Sequence, residues 1–182
     1  MKIIFLLEEP SMKAFLESFL PRLVPGLDFL CIRHEGKQDL EKSIPRKLRA
    51  FQQARFVIVR DNDGAQCKRL KARLRALCKK GGRPDALIRI VCQELEAWYL
   101  GALSAVAEEY GRPDLKALDQ KRAFRDPDKL GSPSQKLVEL VPGFRKIDGA
   151  RRMGQALPVR RDGSRSRSFQ VFVEGVQRLA TG

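Results

Sequence analysis

Apolar residues fall along the chain in two alternating patterns. Residues 2–7 (KIIFLL), 56–60 (FVIVR) and 87–92 (LIRIVC) are continuous apolar runs rich in β-branched and aromatic side chains, and 27–33 (LDFLCIR) is a weaker fourth. Runs without polar alternation suit strands buried on both faces of a mostly parallel sheet. Between them the spacing turns helical. Over 10–23, Pro10 suits a first turn and Phe15, Leu16, Phe19 and Leu20 share a face. Over 37–54, Pro45 is expected to start or kink a helix that carries Leu48 and Phe51. From Cys67, the residues Leu70, Leu74, Leu77 and Cys78 line one side and lysines and arginines the other, until Gly81 and Gly82 end the helix.

Strand–helix–strand–helix–strand–helix–strand is the order of an α/β layered fold, with a central sheet of about four strands and right-handed crossovers. Past residue 111 the strand signal ends. Residues 112–150 hold prolines, glycines and short helical pieces, of which 132–143 is the clearest. A last helix is predicted over 168–180, with Phe169, Phe172, Val173, Val176 and Leu179 near one face. No repeat or linker divides the chain. The expected organisation is one domain over 1–182, with an α/β core over 1–102 and a mostly helical C-terminal extension over 103–182 packed on it.

Composition narrows the function classes. A net charge of +14 over 182 residues, concentrated on the third helix and on the segments around Arg151, Arg152, Arg165 and Arg167, favours a polyanionic partner, nucleic acid above all. The N-terminal apolar run is cut short by Glu8, Glu9 and Pro10, and no run is long enough to span a bilayer. The protein is therefore read as soluble and cytoplasmic, with no membrane partner. Four scattered cysteines and a single histidine lack the paired spacing of a structural zinc site, and read as small buried side chains in a reducing compartment.

The chemistry lies where the strands end. The first predicted strand finishes at Glu8-Glu9, the third at Asp61-Asn62-Asp63-Gly64 and the fourth at Gln93-Glu94-Leu95-Glu96. In an open α/β sheet these loops converge on one crevice. Carboxylates gathered there repel one another unless a cation neutralises them, and oxygen-only ligands suit Mg²⁺ or Mn²⁺. Each acid also has a plainer explanation. Asp61 or Asp63 could cap the helix that follows, and the glutamates could favour helix N-termini. A calcium-binding loop is excluded by spacing, since Gly64 is the fourth residue from Asp61 and Ala72 the twelfth.

A glutamate after the first strand and an Asp-x-Asp after a later one resemble the Toprim domain of topoisomerases, primases and overcoming-lysogenization-defect nucleases. The longer words FLLEEPSMKAFL, HEGKQDLEKSIPRKL, RIVCQELEAWYLG, FRDPDKL and RSRSFQVFVEGV resemble a bacterial Toprim-like family, domain of unknown function 4276, over nearly the whole chain. The resemblance implies a Toprim-like fold and a metal-dependent nuclease or toxin subunit of a phage-defence type, with an ATPase partner. It places Glu8 on the Toprim glutamate, Asp61 and Asp63 on the Asp-x-Asp pair, and Glu94, then Glu96, on the acidic word after the fourth strand. One departure stands out. Where Toprim domains carry glutamate-glycine, this chain has Glu8-Glu9, so Glu9 either adds a ligand or marks a site without chemistry.

Other candidates are weaker. His34 could contact a phosphate or relay a proton, or serve as a polar turn residue. Lys37 beside it is a candidate phosphate contact. Arg165 and Arg167, with Ser166 and Ser168, could bind an anion at the start of the last helix or simply solvate it. Asp126 and Asp128 straddle Pro127 and read as a structural turn, and Trp98 and Tyr99 as core. The leading expectation is a nuclease in which Glu8, Asp61 and Asp63 hold Mg²⁺ or Mn²⁺ and Glu94 is a further ligand or general base. The alternative is a non-catalytic nucleic-acid-binding or regulatory subunit of an ATPase complex.

Overall fold

The computed structural model describes residues 1–182. Four strands, β1 (Ile3–Leu7), β2 (Phe29–Arg33), β3 (Arg55–Asp61) and β4 (Leu87–Val91), form one sheet in the order β2-β1-β3-β4, every pair parallel. The continuous apolar runs have the reason expected of them. Ile3, Phe5, Leu7, Val57, Val59 and Val91 face one layer of helices, and Ile4, Leu6, Phe56, Ile58 and Ile88 face the other. Period-two side-chain alternation across a sheet covered on both sides demands apolar residues at every position. β2 lies at an edge with only Cys31 fully buried, which accounts for its weaker signal.

One face is covered by α2 (Lys37–Ala50) and α3 (Cys67–Lys80), through Leu40, Ile44, Leu48, Leu70, Leu74 and Cys78. The other carries α1 (Pro10–Leu23), then α4 (Glu96–Leu100), α5 (Leu103–Glu109), α6 (Pro133–Leu140), α7 (Lys146–Ala156) and α8 (Arg167–Thr181). Trp98 is at the centre of this larger core. Its ring meets Phe15 and Phe169 edge-on, at centroid distances of 5.6 and 5.4 Å, and lies 5.0 Å from Phe172. Its indole N–H donates to Ser168 Oγ at 2.9 Å, so its polar atom is satisfied on burial.

The structure differs from the sequence reading in two elements. Pro45 does not start α2, which begins at Lys37 and runs through it; Leu40, Ile44 and Leu48 stay on the buried face, and that packing outweighs the one backbone hydrogen bond lost. Phe51 falls just past the helix end. The second difference is α7, which lies in a segment read only as short pieces. Its glycines lower local helix propensity, and the fold uses them for close approach. A Cβ on Gly154 would sit 2.6 Å from the Phe15 carbonyl oxygen, and one on Gly149 2.2 Å from the Phe144 ring. Tertiary packing against α1 sets this helix.

Candidate functional site

The strand order places a topological switch between β1 and β3, because the chain leaves β1 towards β2 and leaves β3 towards β4 in opposite directions. Leu7 is in register with Val59, so Glu8 and Glu9 emerge beside Arg60 and Asp61. A hollow of about 10 Å³ lies there, lined by Glu8, Glu9, Ser11, Arg60 and Asp61 over Met12, Val59 and Leu95. That is the room of about one water molecule. Ser11 Oγ donates to Glu9 Oε2 at 3.1 Å and fixes that carboxylate on the rim.

Burial and neighbouring carboxylates oppose the ionisation of Glu8, Asp61 and Glu96. Burial, then the nearby Asp63 carboxylate, outweigh Arg60 and push Glu8 from 4.5 to about 7. Asp61 is pushed well above the usual carboxylate range by burial and by Glu9, Glu96, Glu8 and Asp63. Glu96 contributes from the first turn of α4. It is 1 % exposed, and burial raises it against the opposing pull of its own backbone N–H and of Lys146. Glu8 Oε2 and Glu96 Oε2 are both buried without a hydrogen-bond partner. Unpartnered carboxylate oxygens in a near-dry site lose their solvation with nothing in return, which is the donor chemistry that a hard cation satisfies.

Basic side chains hold the acids apart. Lys146 Nζ, from the first turn of α7, is 2.6 Å from Glu9 Oε2. Burial alone would lower this ammonium, but Glu9, with Glu96 and Asp61 behind it, carries it above its ordinary value. Arg60 Nε lies 3.6 Å from Glu8 Oε2, beyond hydrogen-bond reach, while its guanidinium end donates to the buried Glu41, which Arg73 also pairs. Lys37 Nζ is 3.6 Å from Asp63 Oδ2. With these pairings no three Asp, Glu, His or Cys side chains form a ready-made metal-ligand group. The residue types fit a hard divalent cation; the side chains would have to leave their basic partners to reach one.

The Asp-Asn-Asp-Gly turn shows how its two like charges are tolerated. Asp61 ends β3 and faces the hollow. Asp63, at φ 47°, turns out to the rim, followed by Gly64 at φ 77°. Asn62 holds the turn between them, accepting from the Gln93 backbone N–H at 2.6 Å and donating to the Ala65 carbonyl at 2.9 Å. It caps the loop, and neither aspartate does.

The remaining candidates are dispersed. Glu94 Oε2 accepts from the Ser134 backbone N–H at 2.8 Å, at the N-terminus of α6, so Glu96 is the member of that pair facing Asp61. His34 is buried between the end of β1 and α2, its Nδ1 2.9 Å from the Leu7 carbonyl oxygen and its Nε2 2.5 Å from Ser43 Oγ, a structural role. Arg152 pairs with Glu109 at 2.7 Å and stacks on Tyr110, and Arg165 pairs with Asp119. Arg151 and Arg167 remain exposed. The anion position at the start of α8 is filled from within. Asp128 accepts from Ser166 Oγ at 2.5 Å and from the Ser168 backbone N–H at 2.8 Å, while Ser166 Oγ also caps Phe169. Asp128 is thus the structural turn residue that the sequence suggested. Lys146, Arg60 and Asn62 were missed as site residues. Arg60 was legible as a lone charge closing an apolar run; Lys146, more than a hundred residues from Glu9, carried no local signal.

Residues 7–177 match the family model of a domain of unknown function, DUF4276. The chain belongs to this family. The DUF4276 span includes the whole hollow and its rim, from Glu8 to Lys146. No curated protein matches the chain. Among solved structures, the C-terminal region of the OLD protein of Xanthomonas campestris pv. campestris is similar at 13% identity, over 97% of this chain and 96% of that one, with a TM-score of 0.47.

Proposed function

We propose that this protein is a divalent-metal-dependent nuclease that hydrolyses phosphodiester bonds at the β1–β3 crevice. The observation that carries the proposal is the acidic cluster at the hollow, where Glu8 and Asp61 line the cavity, Glu96 lies close enough to oppose the ionisation of Asp61, and Glu8 Oε2 and Glu96 Oε2 accept no hydrogen bond. Glu8, Asp61 and Glu96 would hold Mg²⁺ or Mn²⁺, with Asp63 and Glu9 at the rim. When bound, such a cation polarises a phosphate oxygen and lowers the pKa of a coordinated water. The chain's own part is to orient the phosphate and shield the developing charge. Lys146 and Lys37, released from Glu9 and Asp63, would supply cations at the rim for phosphate oxygens. Arg60, anchored on Glu41, positions Glu8. The net charge of +14 supplies long-range attraction for the polyanion. The likeness of Glu8 and Asp61-x-Asp63 to the Toprim motif supports the same reading.

A second reading has its own support. Glu8, Glu9 and Asp63 each already have a basic neighbour in the fold, as a non-catalytic nucleic-acid-binding subunit of an ATPase complex would tolerate. Cleavage of labelled single- and double-stranded DNA and RNA with Mg²⁺, Mn²⁺ or EDTA, together with thermal unfolding in the same buffers, separates the two. The nuclease reading expects metal-dependent product and metal-dependent stabilisation, both lost in Asp61→Asn. Salt-sensitive binding with neither product nor metal stabilisation would establish the binding subunit instead.

A further inference from the structure

Beside the acidic hollow lies a larger pocket of about 450 Å³, bounded by one face of α6 and the segment leading into α7. Ser134, Gln135, Val138 and Glu139 of α6 line it with Phe144, and Glu96 and Lys146 connect it to the acids of the hollow. The Phe144 ring is half-buried and packs at a tilt on Tyr99 and Tyr110, at centroid distances of 6.4 and 6.0 Å, so its position is held. Val138 is 47 % exposed, an apolar side chain left half open to the pocket. Glu96 is shared with the acidic site, buried, and has a carboxylate oxygen with no partner in the protein.

We infer that this pocket is a nucleobase subsite, receiving an unpaired base next to the phosphate held at the hollow, so that the substrate is single-stranded or locally opened nucleic acid. The inference rests on the nuclease reading for the position of the phosphate, and on the pocket alone for the base. Phe144 and Val138 both line the pocket and offer apolar contact to a planar ring, and stacking on an aromatic face is tolerant of base identity. The polar lining suits base edges. The Gln135 amide offers a donor and an acceptor, and the Glu139 carboxylate, tied on the solvent side to Lys136 at 2.7 Å, accepts from exocyclic amino groups. Lys146 stands between pocket and hollow, where a nucleotide's phosphate follows its base. A stacked duplex cannot place a base there without unpairing it.

The test is equilibrium titration of the full chain with nucleoside 5′-monophosphates, ribose 5-phosphate and inorganic phosphate, with Ca²⁺ or EDTA so that no turnover intrudes. Nucleotides are expected to bind roughly tenfold or more tighter than ribose 5-phosphate, the gain that one stacked base provides. Val138→Trp, a change at an exposed position that fills the pocket mouth, is expected to remove that gain. Phe144→Leu, which keeps an apolar side chain in the packing, should reduce it. Asp61→Asn should retain it, which keeps the outcome independent of whether the chain cleaves anything. Nucleotides binding no tighter than ribose 5-phosphate would overturn the subsite, as would a gain that survives Val138→Trp. Metal-dependent cleavage of an unnicked duplex at the single-strand rate would overturn it too, leaving the nuclease reading intact.

Discussion

Lys146 Nζ and Glu9 Oε2 are 2.6 Å apart, joining the start of α7 to the end of β1 across the mouth of the acidic hollow. Both side chains keep substantial solvent contact, 50 % and 36 % exposed, so the pair contributes little stability, about 1 kcal/mol or less. A weak pair is easily exchanged. Lys146→Met is therefore expected to change unfolding free energy by less than about 1 kcal/mol. Its main effect would be tighter Mn²⁺ binding to the freed carboxylates, together with slower cleavage. Calorimetric Mn²⁺ titration of both proteins checks this; unchanged or weaker affinity in the variant would show that Lys146 does not compete for the site.

The ionisation of Glu8 sets a pH dependence with a definite sign. Folded Glu8 holds its proton up to about 7, against 4.5 ordinarily. Folding therefore takes up a proton between those values. The contribution to stability is fully present below about 4.5 and is lost as pH rises through about 7, a decline of at most roughly 3 kcal/mol before solvent screening. Asp61 is shifted in the same direction and adds to it. Urea unfolding of wild type and Glu8→Gln at a series of pH values isolates the Glu8 share as the difference between the two curves. A difference that grows in wild type's favour as pH rises would contradict the assignment.

Asp128 holds the start of α8 through Ser166 and Ser168, and Ser168 in turn accepts from the Trp98 indole. Asp128→Ala is expected to cost about 2–4 kcal/mol, because it removes a charged acceptor and leaves buried donors unpaired. The emission of Trp98, the chain's one tryptophan, should shift with it. A loss below about 1 kcal/mol would mean that the serines re-pair among themselves.

Gly154→Ala places a methyl 2.6 Å from the Phe15 carbonyl oxygen and 2.8 Å from Ser18 Cβ. The α1–α7 contact must open, at about 1–3 kcal/mol. Gly131→Ala, where no atom lies within 4 Å, serves as the control and should stay within about 0.5 kcal/mol of wild type. Equal stability of the two variants in a denaturant series would show that α1 and α7 can slide apart without cost.

Much of the sheet was legible because burial on both faces writes itself as unbroken apolar runs, most plainly in KIIFLL and FVIVR. The crevice followed from the same reading, since acids at strand ends have one place to go in a parallel sheet. What the sequence did not reveal has physical reasons. α7 seats Gly154 against α1 and Gly149 against Phe144, close approaches that no local periodicity records. Glu94 and Glu96 are two residues apart and both acidic; only the course of α4 decides which faces Asp61 and which caps α6. Lys146 meets Glu9 through folding alone. Asn62 looked like filler between two charged residues and is the side chain that fixes the turn.

The close seating of α7 on α1 also orders events in time. Glu8 and Asp61 leave the ribosome long before residues 144–154, which bring Lys146 and the Phe144 wall. Until that helix docks, the acids stand beside an unfinished pocket. The pocket beside the acids is therefore completed only when the last third of the chain folds back onto the first helix.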